Sequence, residues 1–212
     1  MELVDITGNI ETLPRDERGY PVPWFVAWID GKPQFPIMDG EKFVKAIKEQ
    51  RCWICGGPMD KALKAFVAGP MCAINRTSAE PPSHLGCAEF AVKNCPFLVN
   101  PKMRRIENEL TEKCSSAGVM IRRNPGVSLI WVTKGYEIFR DHRGGVLIDI
   151  GTPVSISAWH KGTRTYDKAI IEESVNSGLH ELEKLCTSDK DKNALKLATN
   201  DMWQLLSEHN IA

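Results

Sequence analysis

The chain has 212 residues, 42% of them hydrophobic and 25% charged, which is enough apolar material for a real core and excludes a mainly disordered protein. Lysines plus arginines balance aspartates plus glutamates at 27 each, so no whole-molecule field draws the chain to nucleic acid or to an anionic membrane. Met1-Glu2-Leu3-Val4-Asp5 carries neither a basic stretch nor an apolar run, and no segment reaches the length of a bilayer span. A cytoplasmic location without membrane contact is therefore expected.

In chain order, Pro23 to Ile29 is aromatic-rich and extended, Asp30-Gly31 suits a tight hairpin turn, and Gln34 to Met38 is the return strand. Trp24 and Trp28 are expected in the core, as strand aromatics usually are. Asp39 caps a helix to about Gln50 whose apolar face is Phe43, Val44 and Ile47. Ala65–Val67 and Met71–Asn75 read as a short hairpin about Gly69-Pro70. Beyond Pro101, Lys102 to Ser116 reads as a charged helix.

Four β-like segments follow, Val127–Thr133, Tyr136–Arg140, Val146–Ile150 and Val154–Trp159, separated by glycine-containing turns and expected to form an antiparallel meander. The remainder is helical from near Thr165, pausing at Gly178 and restarting after Ser188, whose Asp191 makes a capping box. Ala194, Leu197, Ala198, Met202, Leu205 and Leu206 fall on one face. The fold class is α+β, with residues 1–100 and 101–212 as two stretches that could pack as one domain.

Seven cysteines without a secretory signal argue against a disulfide framework, and they concentrate with His84 between positions 52 and 95. In Cys52-Trp53-Ile54-Cys55-Gly56-Gly57 two thiolates sit one turn apart, with glycines that let the backbone curl around the sulfurs. His84 and Cys87, three apart at the start of a helix, project to the same side. Thiolates with imidazole favour zinc, so Cys52, Cys55, His84 and Cys87 are the expected ligands of one zinc ion. Cys72 or Cys95 in place of His84, and an iron–sulfur site, stay open as alternatives. With four protein ligands no position is left for a reactive water, so the site would be structural.

Knuckle, hairpin and ligand-bearing helix, in that order over residues 51–96, resemble a treble-clef zinc finger. Gly69-Pro70-Met71-Cys72-Ala73-Ile74-Asn75-Arg76 with Pro81-Pro82-Ser83-His84 also resembles uncharacterised proteins of bacteria and their phages. The treble-clef resemblance implies comparison with nucleases of the His-Asn-His type, whose hairpin carries a catalytic histidine. Here the matching stretch Val67–Cys72 has none.

Asp141-His142 reads as a solvated turn, and no nucleophile elbow, phosphate loop or dinucleotide fingerprint occurs. The stretch from Lys93 to Arg143 is locally basic, with Arg104, Arg105, Arg122 and Arg123 as candidate contacts to nucleic acid or a partner. The leading expectation is a zinc-stabilised, non-enzymatic protein that recognises another macromolecule, protein ahead of nucleic acid. A phage or mobile-element modulator of host machinery is one form of it. A nucleic-acid-binding protein or a metal-dependent nuclease is the alternative.

Overall fold

The computed structural model describes residues 10–59, 63–104, 117–118 and 123–211. The amino-terminal hairpin forms as expected: β1 (Val26–Ile29) pairs antiparallel with β2 (Lys32–Met38), and both Asp30 and Gly31 take positive φ at the turn. The Asp39 carboxylate accepts the backbone N–H groups of Glu41 and Lys42 and starts α1 (Gly40–Lys48). Val44 is exposed, and Ala46 is the fully buried residue of that helix.

The centre of the molecule is a four-stranded antiparallel sheet in the order β3-β5-β8-β9, built from β3 (Lys64–Ala68), β5 (Val127–Thr133), β8 (Pro153–His160) and β9 (Thr163–Thr165). Every residue of β5 is buried, because both faces of the sheet are covered. Val127, Leu129 and Trp131 enter one core with Phe66, Ile156 and Ala158; Ile130 and Val132 enter another with Ala65 and Trp159. Burying side chains of this size contributes roughly 1.5–3 kcal/mol each. Since β3 precedes residue 100 and β5 follows it, the two stretches of chain share this sheet.

The first core is closed by α2 (Pro70–Asn75), α5 (Lys168–Glu183) and α6 (Asp189–Glu208), through Met71, Ile74, Ile171, Val175, Met202 and Leu206. The second is closed by α3 (Leu85–Asn94), with Ala88 and Val92 against the sheet, and by Leu98 of α4 (Pro96–Val99).

A second, three-stranded sheet runs β4-β7-β6, from β4 (Thr77–Ser78), β7 (Val146–Asp149) and β6 (Glu137–Arg140). The four expected strands are present and antiparallel, but they do not form one meander. β5 pairs directly with β8, and β6 and β7 are an excursion that pairs with β4.

Met71–Asn75 is helical, not the second strand of a hairpin. Gly69 sits extended at the N-cap and Pro70 occupies the first turn, where its missing N–H costs nothing. Helical spacing then carries Met71 and Ile74 into the core. Thr165 closes β9, and Asp167 caps α5. Gly178 does not interrupt that helix; it lies buried where a Cβ would stand 3.0 Å from Met71. Leu197 and Ala194 face solvent, and Leu195 packs on the core instead. Trp28 is 43% exposed, which overturns its expected core position. Of the charged helix expected from Lys102 to Ser116, residues 105–116 lie outside the described residues; Lys102 is in a turn and Arg104 forms an isolated bridge with Arg123.

Candidate metal centre

The knuckle is a tight backbone loop closed on itself. Beyond α1, Gln50 takes φ 51°, Arg51 bridges Pro58, the Cys52 N–H donates to the Gly57 carbonyl (2.8 Å), and the Gly56 N–H donates to the Cys52 carbonyl (2.8 Å). Gly56 has φ 72°, and a Cβ there would come within 2.6 Å of the Trp24 ring, so both the turn and the packing require glycine. Between the two cysteines, Trp53 is buried, stacked on Phe25 at 5.0 Å and met edge-on by Phe43 at 5.9 Å. Its indole N–H has no hydrogen-bond partner among the described residues, and ring packing holds it.

The second pair is delivered by α3. Ser83 exchanges two backbone hydrogen bonds with Ala65 of β3 (2.9 and 2.8 Å), which fixes the approach to the helix, and Pro82 accepts the Trp53 N–H at 3.0 Å. His84 is then the N-cap residue, and Cys87 lies in the first turn. Because Ala88 and Val92 of the same helix pack on the central sheet, the ligand pair stands on a rigid element.

The donor atoms of Cys52, Cys55, His84 and Cys87 all lie within 4.8 Å of one another. His84 Nδ1 is 3.4 Å from Cys55 Sγ and 3.7 Å from Cys87 Sγ. A tetrahedron with metal–sulfur bonds of about 2.3 Å and a metal–nitrogen bond of about 2.0–2.1 Å has edges of roughly 3.5–3.8 Å, and the two separations from Nδ1 are close to that. The other ring nitrogen, Nε2, lies 3.0 Å from the Pro58 carbonyl, which can only accept; this places the proton on Nε2 and leaves the Nδ1 lone pair facing the sulfurs. The His84 backbone N–H donates to Cys52 Sγ (3.4 Å), as suits a thiolate.

Charge at the site is crowded. Hydrogen bonding from the Cys55 and Cys87 side chains, with His84 adding to it, holds the Cys52 thiol far below the ordinary thiol range. Cys87 is pushed well above that range by the Cys52 and Cys55 sulfurs and by burial. The same two sulfurs push the His84 imidazole up to about 10. Three thiols and an imidazole at these distances ionise together only around a cation, and a divalent ion replaces the protons they would otherwise share.

The cluster can therefore hold a metal ion with all four positions taken by protein. Neither Cys72, on α2, nor Cys95, at the end of α3, is part of it. Arg104 and Arg123 are brought together by their bridge, with Arg123 donating to Ser177 Oγ (2.9 Å) and to the Asn124 carbonyl (3.2 Å); Arg105 and Arg122 lie outside the described residues. Asp141 builds the β6–β7 turn by accepting the N–H groups of Arg143 and Gly145, and His160 Nδ1 is 2.8 Å from the Gly126 carbonyl. The Pro58 carbonyl was not expected at the site, and a backbone acceptor leaves no signal in a sequence.

No protein family, curated protein or solved structure matches this chain. Of the treble-clef order, the knuckle and the ligand-bearing helix are present, while β3 and α2 occupy the place of the hairpin. Among the described residues no helix is long and apolar enough to cross a membrane.

Proposed function

We propose that Cys52, Cys55, His84 and Cys87 hold one zinc ion in a structural role, and that the protein is a non-enzymatic binding module that recognises another macromolecule. The observation that carries this reading is the four-donor cluster itself, since a closed thiolate–imidazole tetrahedron fastens a fold and leaves no site for activated water. Support for recognition comes from exposed aromatic residues of the amino-terminal region: Trp28 and Tyr20 are both more than two-fifths exposed, and such side chains are favoured at protein interfaces. A protein partner accords with the balanced charge. The resemblance of residues 69–76 and 81–84 to phage and bacterial proteins extends the proposal to a modulator or inhibitor of host machinery.

The second reading is nucleic-acid contact through Arg104, Arg105, Arg122 and Arg123, favoured by the bridge that sets Arg104 beside Arg123. A nuclease is disfavoured because His84 is engaged on both ring nitrogens. Labelled DNA and RNA, incubated with and without magnesium, separate the readings. The proposal expects neither cleavage nor salt-sensitive binding, together with stoichiometric recovery of a protein partner that Trp28→Ala abolishes. Cleavage that survives loss of zinc ligands, or tight salt-sensitive binding without a protein partner, overturns it.

A further inference from the structure

Of the three cysteines in the cluster, Cys52 and Cys87 are fully buried, while Cys55 is partly exposed. What uncovers it is Gly57. A Cβ at Gly57 would stand 3.5 Å from Cys55 Sγ and 3.8 Å from His84 Cε1, with no other described atom outside its chain neighbours within 4 Å. Gly57 is itself partly exposed and Pro58 after it is exposed, so this gap faces solvent. Its neighbour Gly56 is required by a positive φ and by the Trp24 ring; at Gly57 neither the backbone nor the packing demands glycine. The missing side chain leaves a window beside the Cys55 sulfur.

We propose, on the zinc reading above, that Cys55 is a site of oxidation by hydroperoxides and that its oxidation closes a Cys52–Cys55 disulfide that opens the metal module. Metal-ligating cysteines are thiolates, and the thiolate is the nucleophile, so access decides which sulfur reacts. The Cys55 thiolate attacks one peroxide oxygen: an S–O bond forms, the O–O bond breaks, and the departing oxygen takes a proton from solvent. Cys55 is then a sulfenic acid. The Cys52 thiolate, whose sulfur lies within 4.8 Å of the other donor atoms, attacks the Cys55 sulfur; the S–S bond forms, and hydroxide leaves and is protonated to water. Two thiolates have lost two electrons, and the peroxide has gained them. Cys52 is the resolving partner because it shares the turn closed by the Gly56 N–H on its carbonyl, at the spacing of reversible dithiols. Cys87 stands instead on α3, which is anchored to the central sheet by Ala88 and Val92. His84 and Cys87 alone make half a ligand set, so the ion is lost and the knuckle is freed from α3.

The test exposes the zinc-loaded full chain to hydrogen peroxide, follows zinc release with a chromophoric chelator, and maps disulfides by mass spectrometry after free thiols are blocked. Release together with a Cys52–Cys55 bridge is expected, reversed when a dithiol reductant and zinc are supplied. Gly57→Ala should still bind zinc stoichiometrically and should slow release about threefold or more, since its Cβ fills the window at ordinary contact distance. Protein that takes up no zinc at this cluster sinks the metal reading and the oxidation site together. Zinc retained under peroxide, release without a Cys52–Cys55 bridge, or Gly57→Ala releasing as fast as the parent overturns the oxidation site alone.

Discussion

His84 points its Nε2 at the carbonyl of Pro58, 3.0 Å away, from the far side of the knuckle that carries Cys52 and Cys55. That contact ties the ligand-bearing end of α3 to the loop holding the other two sulfurs, and it fixes the tautomer that leaves Nδ1 as a donor to metal. The proposed zinc site thus joins three parts of the fold: the knuckle, the helix packed on the central sheet, and the segment leading into the amino-terminal hairpin, where Trp24 lies over Gly56.

The ligand set makes the first prediction. Cys52→Ser, Cys55→Ser, His84→Ala and Cys87→Ser should each abolish stoichiometric zinc retention, because a structural zinc contributes about 10–16 kcal/mol through all its ligands together. Cys72→Ser and Cys95→Ser should keep one zinc per chain. Elemental analysis of the purified variants decides, and zinc loss in either of the last two would redraw the site. Acidification should release the ion from the parent protein, since thiolates and neutral imidazole must give way to their protonated forms.

Gly56→Ala should destabilise the protein by about 2–4 kcal/mol, combining a positive φ with a Cβ placed 2.6 Å from the Trp24 ring. Urea denaturation of the zinc-loaded protein measures this. An unshifted midpoint would mean that Trp24 does not pack on the knuckle.

Two tryptophans should behave oppositely. Trp53→Ala empties the buried slot between Phe25 and Phe43 and should cost about 3–5 kcal/mol. Trp28→Ala, at an exposed position, should change stability by no more than about 0.5 kcal/mol. Comparable losses from both would place Trp28 in the core after all.

The start of α6 should be acid-sensitive. The Ser188 side chain, followed by Thr187 and the backbone N–H groups of both residues, holds the Asp191 carboxyl below its ordinary value. A depressed folded value means that the stabilisation is present above the ordinary carboxylate range, near 3.8, and is lost as pH falls through the lower folded value. Protection factors against hydrogen exchange at the first amides of α6 should therefore fall below about pH 4, and Asp191→Asn should remove that dependence. An identical acid profile in parent and variant would contradict the capping role.

What the sequence disclosed was local. The Cys52/Cys55 spacing, the His84/Cys87 pair at a helix start, the Asp30-Gly31 turn, the Asp39 cap and the Ser188–Asp191 box are each written within a few residues, and the structure forms all of them. What it hid depended on distant partners. Pairing of β3 with β5 joins segments some sixty residues apart, and nothing in Lys64–Ala68 names its partner. Met71–Asn75 is too short for its periodicity to separate strand from helix, and tertiary burial against α5 and α6 decides it. Ala194 and Leu197 fit a helical stripe equally well, but the core extends only to Leu195 and Ala198.

X-ray absorption at the zinc edge, on protein purified without added metal and checked for stoichiometry, tests the metal assignment most directly. One zinc per chain, with a shell of three sulfurs at about 2.3 Å and one nitrogen at about 2.0–2.1 Å, is the predicted result. A chain that purifies folded with no bound metal, or a zinc whose shell is oxygen-rich and keeps an exchangeable water, would contradict a closed structural site at Cys52, Cys55, His84 and Cys87.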